Sequence, residues 1–284
     1  MRQGACKERC LRHHGYVGRI ATAKGAIGVE QLGRVELAED EVGRTPIIFL
    51  HGVGSDKSVW RPQIDFFSPS RHVIAFDYPG YGESDPADSE ADHDDFAAAI
   101  LTAMDALEVE RAHLCGLSLG GVVAIAMHHA APHRCASLII ADSFSAHPDG
   151  RGIFNRSVKA SRSMTMRELA EERVELLLAP NTPDALRDEL VATMAAISPD
   201  AYRVGARAVW LADQRDRLDG IDVPTLVIVG DQDRVTPPML SRDRSNRIAG
   251  SRLVEIHGAG HLTNIEQAAA FNAAADQFLA GITQ

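Results

Sequence analysis

Thiols are scarce in this chain: Cys6, Cys10, Cys115 and Cys135 are the four cysteines among 284 residues, and no two of them form a C-x-x-C pair. A disulfide framework is not indicated, and all four read as reduced. Cys6 and Cys10 with His13 and His14 match no zinc spacing. Residues 1–15 are therefore expected to be a disordered polar leader, and no metal is assigned. Positive charge is also short. Lys and Arg number 29 against 39 Asp and Glu, a formal net charge of -10. That balance argues against nucleic acid and anionic membrane as partners, since both attract basic surfaces. No apolar run approaches the roughly 18 residues of a membrane-spanning helix. The leader lacks the apolar stretch of a secretory signal, so a cytoplasmic location follows by elimination. Repeats with a period of roughly 20–50 residues and low-complexity tracts are absent too, which removes solenoids and linker-joined arrays.

What is present fits one globular catalytic domain, with 45% apolar and 24% charged residues. Residues 19–22 and 27–31 read as an opening hairpin around Lys24 and Gly25. Short continuous apolar runs follow at 46–50, 72–76, 112–116, 137–141, 224–229 and 252–256. Runs of that length, bounded by turn residues or charge, suit strands buried on both faces. Helical patterns lie between most of them, at about 92–107, 121–129, 239–248 and 265–279. This alternation predicts an α/β fold, a doubly wound and mostly parallel sheet of about eight strands. From about 155 to 218 the alternation stops, and four helices with no strand fit there. Pro180, Pro183 and Pro199, with Thr182 and Ser198, supply the stop and start signals. The expected organisation is a core domain over residues 16–150 and 219–284 with a helical cap at 151–218.

Gly116-Leu117-Ser118-Leu119-Gly120-Gly121 lies between a strand and an Ala- and Val-rich helical pattern. That is the context of a nucleophile elbow, where a serine is held in strained backbone geometry and glycines prevent clashes. A serine hydroxyl needs a base to take its proton. His261, in Gly258-Ala259-Gly260-His261, follows the last strand and comes last in the order serine, acid, histidine. The neighbouring His257 is the competing reading, as a packed histidine at the strand end. The base needs an orienting carboxylate. Asp231, Asp233 and Asp142 are candidates, and Asp233 fits best because one turn separates it from the strand end. Asp231 then caps that turn. Ser118, Asp233 and His261 are thus the expected catalytic residues.

The oxyanion of acyl transfer calls for two backbone amides. Leu119 supplies one, and Val53, in the glycine-bearing turn His51-Gly52-Val53-Gly54, is expected to supply the other. Asp77, in a turn-rich loop, is given a structural role. Trp60 and Trp210 are candidate substrate contacts, as are Met164 and Met166. An anionic substrate would want an arginine, and Arg156, Arg162, Arg203, Arg207 and Arg215 are available in the helical segment.

Together these residues resemble the α/β-hydrolase superfamily over about residues 20–279, and within it the 3-oxoadipate enol-lactonases. The matching segments are residues 51–60, 115–121, 223–238 and 258–267. The resemblance implies hydrolysis of an enol-lactone by Ser118, Asp233 and His261, with no cofactor or metal and a small-molecule ester or lactone as partner. Asp77-Tyr78-Pro79-Gly80-Tyr81-Gly82 departs from it, reading like a general esterase where the lactonases tend to carry Arg and His after the aspartate. A broad carboxylesterase is the second reading. Cofactor-free haloperoxidases, carbon-carbon hydrolases and non-catalytic ligand receptors resemble the same pattern. Dehalogenases and epoxide hydrolases have aspartate where this chain has Ser118. The pattern is silent on oligomeric state.

Overall fold

The computed structural model describes residues 15–33 and 45–282. The leader reading, with Cys6, Cys10, His13 and His14, lies outside the described residues but for Gly15. The chain opens with the antiparallel hairpin β1 (Tyr16–Thr22) and β2 (Gly25–Leu32), which pair from Tyr16 opposite Gln31 to Thr22 opposite Gly25. Six strands follow: β3 (Ile47–Leu50), β4 (Val73–Phe76), β5 (Ala112–Leu117), β6 (Cys135–Ala141), β7 (Thr225–Gly230) and β8 (Arg252–Ile256). The sheet has eight strands in the order β1-β2-β4-β3-β5-β6-β7-β8, parallel from β4 to β8 and antiparallel at the β1 and β2 edge. Every residue of β3 to β7 is buried, as the unbroken apolar runs require of strands covered on both faces.

The covering helices are α1 (Arg61–Phe67), α2 (His93–Ala106), α3 (Leu119–Ala130), α8 (Pro238–Arg247), α9 (Thr263–Glu266) and α10 (Ala268–Ala280), with α1 packed on α10 and α2 on α3. Asp92 caps α2 reciprocally with Asp95. The short helix α1, with Pro62 in its first turn, has too few residues to show a period, and the apolar pattern alone missed it. The expected single helix at 265–279 is two helices, interrupted at Gln267. The break follows from Glu266, whose carboxylate turns back to accept from the amides of Gly260 and Leu262.

Between β6 and β7 lie α4 (Gly150–Ser163), α5 (Met166–Leu177), α6 (Asp184–Ala195) and α7 (Pro199–Trp210), with no strand among them. Helix α4 starts earlier than 155, and residues 215–220 form a 3-10 turn. Thr165 and Glu168 cap α5 reciprocally, and Ser198 caps α7 with Pro199 at its first position. The stem of this segment is stitched by a bridge from Ala146 to Asp213 and by the Gln214 amide on the Ser145 carbonyl at 2.8 Å.

Candidate active site

Strand β5 ends where α3 begins, and Ser118 is the residue between them. Its backbone sits at φ 54°, ψ -111°, a conformation that costs a non-glycine residue about 1–3 kcal/mol. The turn is tight because a Cβ on Gly116 would lie 2.1 Å from the Gly120 carbonyl oxygen. One on Gly120 would lie 2.0 Å from that of Leu50. Only glycine fits at either place, so the spacing read in the sequence has a steric cause.

The loop after β8 brings His261 over Ser118. Ser118 Oγ and His261 Nε2 are 3.0 Å apart, and His261 Nδ1 lies 2.9 Å from Asp233 Oδ2. All three residues are buried. Asp233 Oδ1 also accepts from the amides of Val235 and Thr236, at 2.8 Å each, and Oδ2 accepts from Thr236 Oγ1 at 2.6 Å. Burial lowers the His261 pKa, but the charge and hydrogen bond of Asp233 more than offset it, leaving it above the ordinary 6.5. Burial raises that of Asp233, and His261 with Thr236 brings it below the usual carboxylate value. An ionised carboxylate on Nδ1 keeps the proton there and leaves Nε2 free to accept from the serine.

The other candidates are placed apart from this chain of contacts. His257 is solvent-exposed, its side chain 94% accessible against 4% for His261, and pairs with Asp231, which also accepts from the Gly258 amide. Asp142 follows the end of β6 at φ 46° and is fully buried. It accepts from the Gly230 amide and from the amide and hydroxyl of Thr263. Burial and then the Asp233 charge push it up to about 8. Asp77 is likewise occupied, by the amide and ammonium of Lys57 and the amide of Glu83.

His51 orients the turn after β3. Burial lowers its pKa, so the ring is neutral, donating from Nδ1 to the Gly52 carbonyl at 2.8 Å and accepting from the Tyr78 amide at 3.4 Å. In a trans peptide the N–H opposes the C=O. With the Gly52 carbonyl tied to His51, the Val53 N–H faces the other way. Gly52, Val53 and Gly54 line a cavity that Ser118 and His261 also line. Leu119 opens α3, where the first amides have no partner inside the helix.

The cavity walls come from the helices above: Ala170, Arg173, Val174 and Leu177 of α5, Leu190 and Met194 of α6, and Val209 and Trp210 of α7. Trp210 is on the cavity wall, stacked on Phe144 with centroids 5.5 Å apart. Trp60 is not. It is buried between Phe49 and Phe271 in the core, because the 3-10 turn carrying it lies against β3 and β4. Nor do Met164 and Met166 line the cavity. Arg156, Arg203, Arg207 and Arg215 pair with Asp149, Asp200, Glu90 and Asp213, and Arg162 is exposed. The arginine on the cavity is Arg173, which the sequence reading passed over. Its signal was the spacing 170, 173, 174 and 177, one face of a helix. Glu266 was missed as well. It accepts from Gly260 and Leu262 on either side of His261, and from the Ala179 amide and Thr182 hydroxyl after α5.

Comparison with known proteins bears on the whole chain. The pattern of the alpha/beta hydrolase family matches residues 47–274. The 3-oxoadipate enol-lactonase 1 of Acinetobacter baylyi is 28% identical over 223 residues, 78% of this chain and 83% of that protein. A pimeloyl-(acyl-carrier protein) methyl ester esterase of Neisseria meningitidis is 30% identical over 249 residues, 83% of this chain and 77% of that one. In fold, the enol-lactonase from Burkholderia xenovorans superposes with a TM-score of 0.85 at 24% identity, covering 92% of this chain and 99% of its own. The likeness to enol-lactonases seen in the motifs thus extends over most of the chain, alongside a likeness to an esterase.

Proposed function

Because this chain belongs to the alpha/beta hydrolase family, we propose that it hydrolyses a carboxylic ester or lactone through an acyl-enzyme on Ser118. The observation that carries this reading is the contact of 3.0 Å between Ser118 Oγ and His261 Nε2, with Asp233 on the far ring nitrogen at 2.9 Å. Ser118 Oγ attacks the carbonyl carbon as His261 Nε2 takes its proton, and the carbonyl oxygen becomes an oxyanion. The amides of Val53 and Leu119 donate to that oxyanion, a role in which one donor is worth about 3 kcal/mol. Collapse of the intermediate breaks the bond to the leaving oxygen, which receives the proton from His261. In a lactone the leaving oxygen stays attached to the acyl group. Water, deprotonated by the same imidazole, then attacks the acyl-enzyme, the bond from the acyl carbon to Ser118 Oγ breaks, Oγ takes back the proton from His261, and the acid is released. Asp233 holds the ring and balances the imidazolium without taking its proton.

Residues 151–218 act as a cap in this reading, closing the reacting centre from water and choosing the substrate. The enol-lactonase relatives favour a lactone such as 3-oxoadipate enol-lactone. The esterase relatives and the apolar side chains on the cavity favour an open-chain ester. The deciding measurement is steady-state hydrolysis of lactones and short acyl esters by wild type and Ser118→Ala, with fluorophosphonate labelling in parallel. Activity and labelling should both vanish in the variant, and the lactone-to-ester ratio then sets the subclass. Labelling that persists in Ser118→Ala, or none in wild type, overturns the nucleophile.

A further inference from the structure

The turn that carries the Val53 amide is pinned at both ends to adjacent residues beyond β4. His51 opens the turn and accepts from the Tyr78 amide at 3.4 Å. Lys57 closes it on Asp77, the residue before Tyr78: its amide donates to Oδ1 at 2.8 Å and its ammonium to Oδ2 at 2.7 Å. The ammonium also donates to Glu83 at 2.8 Å. Between these anchors the amides of Gly52, Val53 and Gly54 make no backbone hydrogen bond among the described residues, so the turn takes its shape from its ends. The Asp77 carboxylate has no freedom to follow a displaced Lys57. It is fully buried, and a Cβ on Gly28 or Gly82 would lie 2.3 or 2.2 Å from its Oδ2, so it fills space that two glycines leave open. Burial pulls the Lys57 pKa down, but the hydrogen bonds to Asp77 and Glu83 carry it above its ordinary value, and the ammonium stays charged.

Two hydrogen bonds from one residue to the two oxygens of one carboxylate fix orientation as well as position, and the charge-assisted one is about twice as strong as a neutral bond. We infer that Lys57 is a positioning residue of the oxyanion turn: its grip on Asp77 keeps the Val53 N–H aimed at the place where the oxyanion forms. This rests on the reaction proposed above and adds to it the group that sets one of the two donors. Lys57 acts from outside the cavity, which Gly52, Val53, Gly54 and Ser55 line and it does not. A donor to the oxyanion gains most of its strength once the carbonyl oxygen has become charged. Its misplacement is therefore felt in kcat, while KM is left to the cavity walls.

The test measures hydrolysis of p-nitrophenyl butyrate, inhibition by butylboronic acid, whose adduct with a serine hydroxyl is tetrahedral and anionic, and the rate of fluorophosphonate labelling. Lys57→Met should lower kcat about tenfold to a hundredfold, as a shift of about 1 Å near the reacting centre does, with KM within about twofold of wild type. Boronate inhibition should weaken by the same factor, and the acid limb of kcat/KM, set by His261, should not move. Lys57→Arg should recover most of kcat. Should Lys57→Met not fold because Asp77 is left buried and unpaired, Lys57→Met with Asp77→Asn removes both charges and carries the same comparison. A lower Tm with unchanged kcat and boronate inhibition overturns the positioning role, and so does a loss confined to KM. The labelling rate needs no ester, so it separates this proposal from the reaction it rests on. If wild type cleaves no ester but Lys57→Met is labelled at least about tenfold more slowly, the positioning stands and the hydrolytic reading falls. If both are labelled at one rate, the positioning falls, and Ser118-dependent cleavage by wild type leaves the hydrolytic reading in place. A wild type that is not labelled at all overturns both.

Discussion

The sheet edge and the helices above it are held by different means. At the edge, Ser118 is fixed by close backbone packing, since Gly116 and Gly120 admit carbonyl oxygens into space a side chain would fill, and by its amide on the Ala141 carbonyl at 2.9 Å. The helices are held by polar clamps that converge on the end of α5. The Leu177 carbonyl accepts from the His261 amide at 2.6 Å, and Arg234, next to Asp233, donates to the carbonyls of Glu175 and Leu178. Glu266 ties the residues after α5 to the loop bearing His261. Sterically enforced geometry is insensitive to the substrate, and polar clamps can adjust. A hydrolase needs the first at its nucleophile and tolerates the second where it chooses what to bind.

Asp233 and Asp142 give the sharpest way to break this picture, because both are buried carboxylates near His261. Asp233→Asn should lower kcat by about a thousandfold to ten-thousandfold, as loss of an orienting carboxylate does when the tautomer is no longer fixed. The imidazole should also titrate lower, since Asp233 is the chief influence raising it. The wild-type acid limb of kcat/KM should therefore lie above pH 6.5, because only the neutral ring accepts the serine proton. A loss below tenfold in Asp233→Asn, with activity abolished once Asp142→Asn is added, would transfer the orienting role to Asp142.

The clamp between the two regions comes next in size. Glu266→Gln replaces an acceptor of four donors with a group that has one acceptor oxygen and two donors of its own. Unpaired amides beside His261 should cost about 2 kcal/mol, read as a fall of several degrees in Tm. A displaced imidazole should lower kcat/KM about tenfold to a hundredfold. Loss of stability with unchanged kinetics would show that the helices are clamped for folding alone.

The strand-to-helix turn at Ser118 and the loop bearing His261 were legible in the sequence because their mechanics are local. A serine between a strand and a helix with glycines at fixed offsets reports its geometry directly. Strands β3 to β7 were legible because strands buried on both faces are continuously apolar, and the opening hairpin was legible from its turn at Lys24 and Gly25. Arg173 and Glu266 were not, since each matters through contacts with residues far away in the chain. The Arg173 side chain becomes conspicuous only when its neighbours are seen to have carboxylates and it is seen to have none. Trp60 was misplaced for a related reason, because composition cannot tell which face of the sheet a turn will cover.

Asp142→Asn should affect turnover less than the preceding variants, keeping kcat within about tenfold. Its measurable consequence lies in pH. The folded protein holds the Asp142 proton up to about pH 8, against 3.8 ordinarily. That contribution is complete below the unfolded value and drains away as pH rises through the folded one. Asparagine, which also tolerates the positive φ at this position, has no such loss. The variant's Tm deficit should therefore narrow between pH 5 and pH 8.5, and a deficit that stays constant over that interval would mean that Asp142 is ionised in the fold.

The smallest effect comes from the opposite ends of the same two strands, where His113 of β5 meets Ser137 of β6. Nδ1 of His113 lies 2.8 Å from Ser137 Oγ, and burial, followed by the charges of Arg71 and Arg111, lowers its pKa to about 4. The folded protein refuses a proton that the unfolded chain accepts near 6.5, so stability is full above that value and is lost as pH falls toward 4. The urea midpoint of wild type should drop over this interval, and His113→Asn should flatten part of the slope without changing the pH profile of hydrolysis. If that profile moved with His113, the two ends of β5 would be coupled, and the rigidity assigned to the sheet beneath Ser118 would have to be given up.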